Sequence, residues 1–203
     1  MGNLFSYEGP LISFLERLAD LLILNLIFII CCIPVFTAGA ALTALSTITR
    51  KMAGKEEGYI LRGYFKAFKE NFLQATAIWL ILLFFALVFV TDLLVLLKYG
   101  TGGIFFLLWC LTFPAGLMWL FVFVYVFPLL ARFDNTIKNT LKNALLLSIR
   151  FLPWTVVLLL LMVLPFLAGF FYPLIGIPFY LFMGFSLISL ASSYIFRKLF
   201  ERL

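Results

Sequence analysis

Few side chains in this 203-residue chain could do chemistry at membrane depth. Glu16 and Asp20 stand one helical turn apart on a shared face, next to Arg17. Asn25 is the most central polar group of the apolar stretch around it. Asp92 sits in the outer part of another such stretch, with Lys98 beyond it. Ionisable groups within spans are expensive, and for that reason they are functional candidates. One reading makes these residues an acidic outer vestibule for a cation or for sugar hydroxyls. The simpler reading is structural: Asp92 or Asp20 pairs with Arg17 or Lys98, and Asn25 bonds a neighbouring helix. No stretch holds several charges at helical spacing, so neither a proton relay nor a voltage sensor is indicated.

Other chemistry is thinly supplied. The chain has no His, which removes the commonest general base and metal ligand. Cys31, Cys32 and Cys110 all lie inside apolar runs, without CxxC or Cys/His spacing, and read as inert. Ser46, Ser186, Ser189, Ser192 and Ser193 have no evident base beside them. No H-E-x-x-H, G-x-S-x-G or phosphate-binding loop occurs. The expectation is a non-enzyme without cofactor or metal.

The elements that carry these residues follow from composition. Hydrophobic residues make up 65% of the chain and charged residues 12%, against roughly 45–50% and about 25% in soluble domains. A chain this short cannot hide so much apolar surface in one core. Lipid must cover the rest, and residues 1–203 read as a single integral membrane domain. A spanning helix needs about 20 apolar residues. Five stretches qualify, at about 11–33, 75–97, 104–131, 152–171 and 178–196. Pro34 interrupts the first. The segment 37–48 after it is too short to span and reads as a re-entrant or interfacial helix, with Thr37 as its cap. Within it Gly39, Ala40, Ala41 and Ala44 form a small-residue pattern suited to close helix packing.

Charge orients the chain. Of the 15 Lys and Arg, all but Arg17 and Lys98 fall in segments 50–74, 132–151 and 197–203. Five spans put those segments on one face, which the positive-inside rule makes cytoplasmic. The N-terminus is then outside and the C-terminus inside. The net charge of +6 is dispersed over three juxtamembrane segments, which argues for lipid headgroups and against nucleic acid. No basic residue precedes the first apolar stretch, so a cleaved signal peptide is not expected. Residues 1–6 fit the short myristoylation pattern.

Two cytoplasmic segments read as amphipathic interfacial helices. Ile60, Tyr64, Phe68 and Phe72 recur every four residues, with Phe65 beside them. Phe133, Ile137, Leu141, Leu145 and Ser148 form a similar stripe opposite Asn135, Lys138, Asn139, Lys142 and Asn143. Such stripes pack on lipid or dock a partner. Trp79 and Trp154 fall near the inner interface. Segments 59–131 and 133–196 share one order of elements, an amphipathic helix followed by a two-span hairpin, and so suggest an internal repeat.

Motifs in the first half are familiar. Asn25-Leu26-Ile27-Phe28, Ile33 to Ala40, and Ala44-Leu45 resemble the opening of the YesL family of bacterial membrane proteins. Gly58-Tyr59, Arg62, Tyr64 to Phe72 and Gln74-Ala75-Thr76 continue the likeness, which resumes weakly from Lys142 to Ser148. Thr37-Ala38-Gly39 stands where the family has Thr-Ile-Gly. The resemblance implies a small protein of the bacterial plasma membrane with no defined activity, often encoded beside ABC-type importers of complex carbohydrates. It implies no catalytic residues.

The reading is therefore an all-α, polytopic bundle of five spans with two interfacial helices. Its expected role is that of an accessory subunit of an ABC-type oligosaccharide importer, contacting permease or ATPase through Tyr64, Phe65, Phe68, Phe72, Phe133, Ile137 and Leu141. A small oligomeric transporter or channel with Asn25 and Asp92 on its path is the alternative, and a membrane assembly protein is a third.

Overall fold

Pro34 divides the first helical run in two. It lacks an amide hydrogen and disfavours helix in the residue before it. In the computed structural model, which describes residues 10–54, 56, 58–100 and 103–201, helix α1 (Pro10–Cys32) ends just short of it. A 3-10 turn at Val35–Thr37 leads into α2 (Ala38–Ala53). Thr37 occupies the N-cap position, but its hydroxyl does not cap α2. It lies 2.6 Å from the carbonyl of Cys31 and 2.7 Å from that of Pro34, and so closes the end of α1 instead.

Helix α2 is packed among the other helices rather than left on the surface of the bundle. It packs most extensively on α3 (Ile60–Tyr99) and α8 (Phe185–Phe200), and also on α1 and α4 (Gly103–Leu130). Gly39, Ala40, Ala41, Thr43, Ala44, Leu45, Ile48 and Thr49 are all buried. The small residues let backbones meet. A Cβ at Gly39 would lie 2.5 Å from the Ala75 carbonyl oxygen and 2.5 Å from the Trp79 Cβ. The Trp79 indole N–H then donates to the Val35 carbonyl at 2.8 Å, tying α3 to the 3-10 turn.

The two amphipathic segments end differently. The first is not a separate interfacial helix: residues 60–74 continue without a break into the apolar run, giving a 40-residue α3. Its only glycine is Gly63 and it holds no proline, so none of the usual kink residues interrupts it. At 1.5 Å per residue it is about 60 Å long, twice the ~30 Å hydrocarbon core. The second segment does stand apart. Thr136 accepts the Asn139 amide and caps α5 (Ile137–Arg150). The helix breaks at Phe151 and restarts as α6 (Leu152–Phe171). Pro153, in the first turn of α6, cannot donate to a carbonyl four residues back, so the break falls just before it. Phe133 precedes α5 and lies in the turn after α4, not on the amphipathic helix. The fused and the broken segment depart from the expected repeat of elements.

Beyond Tyr172 the chain reverses. Gly169 and Gly176 touch here: a Cβ at Gly176 would lie 2.4 Å from the Gly169 Cα. Helix α7 (Pro173–Phe179) passes through a π turn at Tyr180–Gly184 into α8. Among the described residues, four helical runs are long and apolar enough to cross a membrane: Ile60–Lys98, Leu107–Leu130, Leu152–Phe171 and Pro173–Phe200. Most of their surface faces outward, with Phe84, Leu107, Phe113, Phe166 and Leu174 all well exposed, as lipid-covered helices require. The protein is an all-helical, multi-pass membrane protein. Any 18-residue window of α1 includes Glu16, Arg17 and Asp20, which sets it apart from those four.

Candidate functional site

A π turn has one residue too many for the α-helical ladder, and it leaves backbone groups to be satisfied from outside. Asn25 meets that need. Its amide nitrogen donates to the carbonyls of Tyr180 and Leu181, both at 2.9 Å. Its carbonyl oxygen accepts the Ser186 amide at 3.1 Å. The Ser186 hydroxyl lies 2.9 Å from the Leu21 carbonyl, back on α1. Asn25 and Ser186 are both fully buried. Of the two readings open for Asn25, the structure supports the helix-to-helix bond.

The polar seam continues along α8. Ser186, Ser189, Ser193 and Arg197 fall at i, i+3, i+7 and i+11, close to one helical face. The Thr49 hydroxyl is 2.9 Å from both the Ser189 and the Ser193 hydroxyls, and 2.9 Å from the Leu45 carbonyl on its own helix. The Arg197 guanidinium donates to the Ala53 carbonyl at 2.9 Å, near the end of α2. Of the serines that stood without a base in the sequence, Ser186, Ser189 and Ser193 therefore hold α8 to α1 and α2. Their spacing was readable as a stripe; their partners, 140 to 165 residues away, were not. Within the turn the Tyr180 hydroxyl is buried with no hydrogen-bond partner, and its ring lies against those of Phe166, Phe179 and Phe185.

The acidic candidates do not join this seam. Glu16 is exposed on α1, Asp20 is half-buried one turn on, and Asp92 is exposed on α3. Among the described residues no group of three His, Cys, Asp or Glu is placed to hold a metal ion. Cys31 and Cys32 are free and half-buried, and Cys110 is free and exposed. The residues 1–6 of the myristoylation pattern, Lys55 and Arg202 lie outside the described residues.

The apolar stripes are largely spent within the chain. Tyr64 is fully buried against α2, in a cluster with Leu24, Phe28, Ala41, Leu45 and Ile48. No partner can reach it in this fold. Phe68, Phe72, Phe133, Ile137 and Leu141 are half-buried and pack on the larger core cluster around Val124 to Leu130. Only Phe65, 45% exposed, stands out from the bundle. Leu61 and Leu73, not singled out by the four-residue spacing, are exposed on the same stretch of α3.

Contacts bring the three basic segments together. Gln74 of α3 donates to the Asn135 carbonyl before α5. The Arg132 guanidinium lies 5.0 Å from the centre of the Phe200 ring, and Arg197 meets Ala53. The end of α2, the α4–α5 turn and the end of α8 thus share one end of the bundle.

No curated protein and no solved structure matches the chain. Residues 21–93 do match a family model, described as a protein of unknown function, DUF624. The match holds Asn25, all of α2 and most of α3, but none of α8. It also contains the whole stretch from Asn25 to Thr76 whose motifs resemble the YesL proteins. Residues 21–93 are thus similar to DUF624, a likeness consistent with the YesL resemblance of the same stretch.

Proposed function

We propose that the chain is a non-catalytic accessory subunit in the bacterial plasma membrane, with α1 as a fifth span, its N-terminus outside and its C-terminus inside. Its partner is an ABC-type importer of complex carbohydrates, the system with which the YesL resemblance associates it. One observation carries the docking part of this reading. Helix α3 is about twice as long as the hydrocarbon is thick, and the half not needed to span, the basic one, is left for the membrane surface. One face of that basic half is fastened to α2 through Tyr64 and Ala67. The other exposes Leu61, Phe65 and Leu73 beside Arg62, Lys66 and Lys69. A rigid apolar and cationic ridge of this kind is a surface that a permease or ATPase subunit could cover. Asn25 and the hydroxyl residues hold the other helices to each other and so support a body that docks more than one that conducts.

The test is purification from native membranes in a gentle detergent, with mass spectrometry of the companions. Permease and ATPase subunits should appear in stoichiometric amounts. They should be lost from a Leu61→Ser/Phe65→Ser/Leu73→Ser variant that still elutes as the wild type does. Purification of the protein alone, or only with copies of itself, would overturn the reading.

The alternative, a small oligomeric transporter, is favoured by Asp92. This carboxylate is exposed among leucines and valines on α3, and at such depth it calls for water or a second chain. Flux through the purified protein alone that disappears in Asp92→Asn would establish that alternative.

A further inference from the structure

The elbow between α2 and α3 holds a half-open cavity of about 220 Å³. The polar seam does not use it, and it shares Arg62 and Lys66 with the docking ridge. Three cations line it: Lys51 from the end of α2, and Arg62 and Lys66 from the first turns of α3. Glu56 is the one acid among its described lining residues, and together these carry a net positive charge. The cations are available. Lys66 is 3.9 Å from Glu70, but both side chains are largely exposed, 74% and 61%, and such pairs are weak. Arg62 stacks over the Tyr59 ring at 5.7 Å, an arrangement that leaves the N–H edges of its guanidinium free.

The backbone adds to this charge. Helix α3 starts at the cavity, where Tyr59, Ile60, Arg62 and Gly63 all line it. Tyr59, the N-cap residue, makes no side-chain capping bond. The first bond back along the helix is from Gly63 to the Tyr59 carbonyl. The amides before Gly63 therefore have no acceptor within the helix, and they add the positive end of its dipole. An open helix start, three cations and a cavity together make a site for a phosphoryl group. The rest of the lining is apolar, with Ile48, Met52 and Ile60 beneath the charged rim. Tyr59 is 83% exposed beside it and Leu61 51%. A small soluble anion has no use for that surface, whereas a lipid has.

We propose that this cavity holds the phosphate of an anionic phospholipid, with Lys51, Arg62 and Lys66 around the headgroup and the apolar residues under its glycerol and acyl carbons. The proposal does not depend on the accessory-subunit reading, because it needs no partner protein.

The full-length protein is to be reconstituted with phosphatidylcholine and phosphatidylglycerol, extracted in mild detergent and weighed intact by native mass spectrometry. The wild type should retain phosphatidylglycerol in preference to phosphatidylcholine. Lys51→Gln/Arg62→Gln should retain roughly tenfold less. Lys138→Gln/Lys142→Gln, which removes equal charge on α5, should retain as much as the wild type. If the first double variant fails to fold, the exposed Arg62→Gln alone should still lower retention, by roughly threefold. Equal losses in both double variants would mean diffuse surface charge and overturn the site, as would no loss in either. Inorganic phosphate is added to protein held in phosphatidylcholine alone. Phosphate uptake that needs Arg62, without retention of phosphatidylglycerol, would overturn the lipid and leave a soluble phosphoryl compound as the occupant.

Discussion

Two regions of the bundle are held together by different means. Where α1, α2 and α8 meet, and where α2 meets α3, the contacts are small residues, hydroxyls and one amide: Gly39, Thr49, Ser186, Ser189, Ser193 and Asn25. Around α4 the contacts are rings. Trp119 stacks on Phe123 at 5.5 Å, Trp79 lies 6.4 Å from Phe123 and 6.2 Å from Phe127, and Tyr125 meets Phe196 edge-on at 5.2 Å. The difference reflects the solvent. In lipid, apolar burial gives little drive for one helix to choose another. Rings supply dispersion and shape, which small shifts can preserve. Hydrogen bonds and backbone contacts tolerate no such shift. The polar region should therefore set which helix lies where, and the ring region should fill the space between.

Gly39→Leu should have the largest effect. The added side chain would start 2.5 Å from a backbone oxygen of α3, and a backbone atom cannot move aside as a flexible side chain can. A destabilisation of about 3–5 kcal/mol is expected. The purified protein should fail to give a monodisperse peak in detergent. A folded Gly39→Leu protein with unchanged melting would mean that α2 and α3 are not in close contact.

Asn25→Leu comes next. It removes three hydrogen bonds and leaves the Tyr180 and Leu181 carbonyls without the amide that satisfies them. Bonds between membrane helices average roughly 0.6 kcal/mol each, and stranded buried groups add about 1–3 kcal/mol. A loss of about 2–4 kcal/mol is expected by reversible denaturation in mixed micelles. Hydrogen exchange should rise first at residues 180–186. If exchange rises uniformly instead, the π turn is not what Asn25 holds.

How far the sequence foretold this arrangement depends on the distance between partners. The apolar runs were legible because spanning a bilayer is a local demand on some 20 residues. The end of α1 was legible from Pro34, and the close packing of α2 from Gly39, Ala40, Ala41 and Ala44. Asn25 was legible as a helix-to-helix bond, but its partner was not. The π turn lies 155 residues away, and nothing local to Tyr180–Gly184 announces it except Pro178 just before. The stripe from Tyr64 to Phe72 could be seen, but an apolar stripe does not say whether lipid, another protein or the chain itself covers it. Here α2 and the core cover most of it. The fusion of residues 60–74 with the span was hidden for a related reason. Amphipathic and apolar helical patterns can join in one straight helix as readily as around a bend, and only Pro153 in the second segment marks a break.

Thr49→Val tests the seam at a single hydroxyl. Valine keeps the shape and removes the oxygen shared with Ser189 and Ser193. Both serines can turn to carbonyls of their own helix, as Ser192 already does to Ile188. The loss should therefore be about 1 kcal/mol, seen as a small drop in Tm with unchanged elution. A neutral result would shift the hold on α8 to Asn25 and Arg197.

The ring region has one buried polar pair, and it supplies the smallest prediction. The Tyr125 hydroxyl lies 3.0 Å from that of Thr155, which is itself 2.8 Å from the Ser148 carbonyl at the α5–α6 break. Thr155 can donate to that carbonyl without any help from Tyr125. Tyr125→Phe therefore strands no acceptor, and its ring keeps the edge-on contact with Phe196. The cost should be about 0.5 kcal/mol, well below that of Asn25→Leu in the same denaturation series. Thr155→Val should cost more than Tyr125→Phe, because it leaves the Ser148 carbonyl unpaired where the helix is already broken. If Tyr125→Phe instead matches Asn25→Leu, ring packing and polar bonding are not divided between the two regions, and α4 is positioned by hydrogen bonds as strictly as α8.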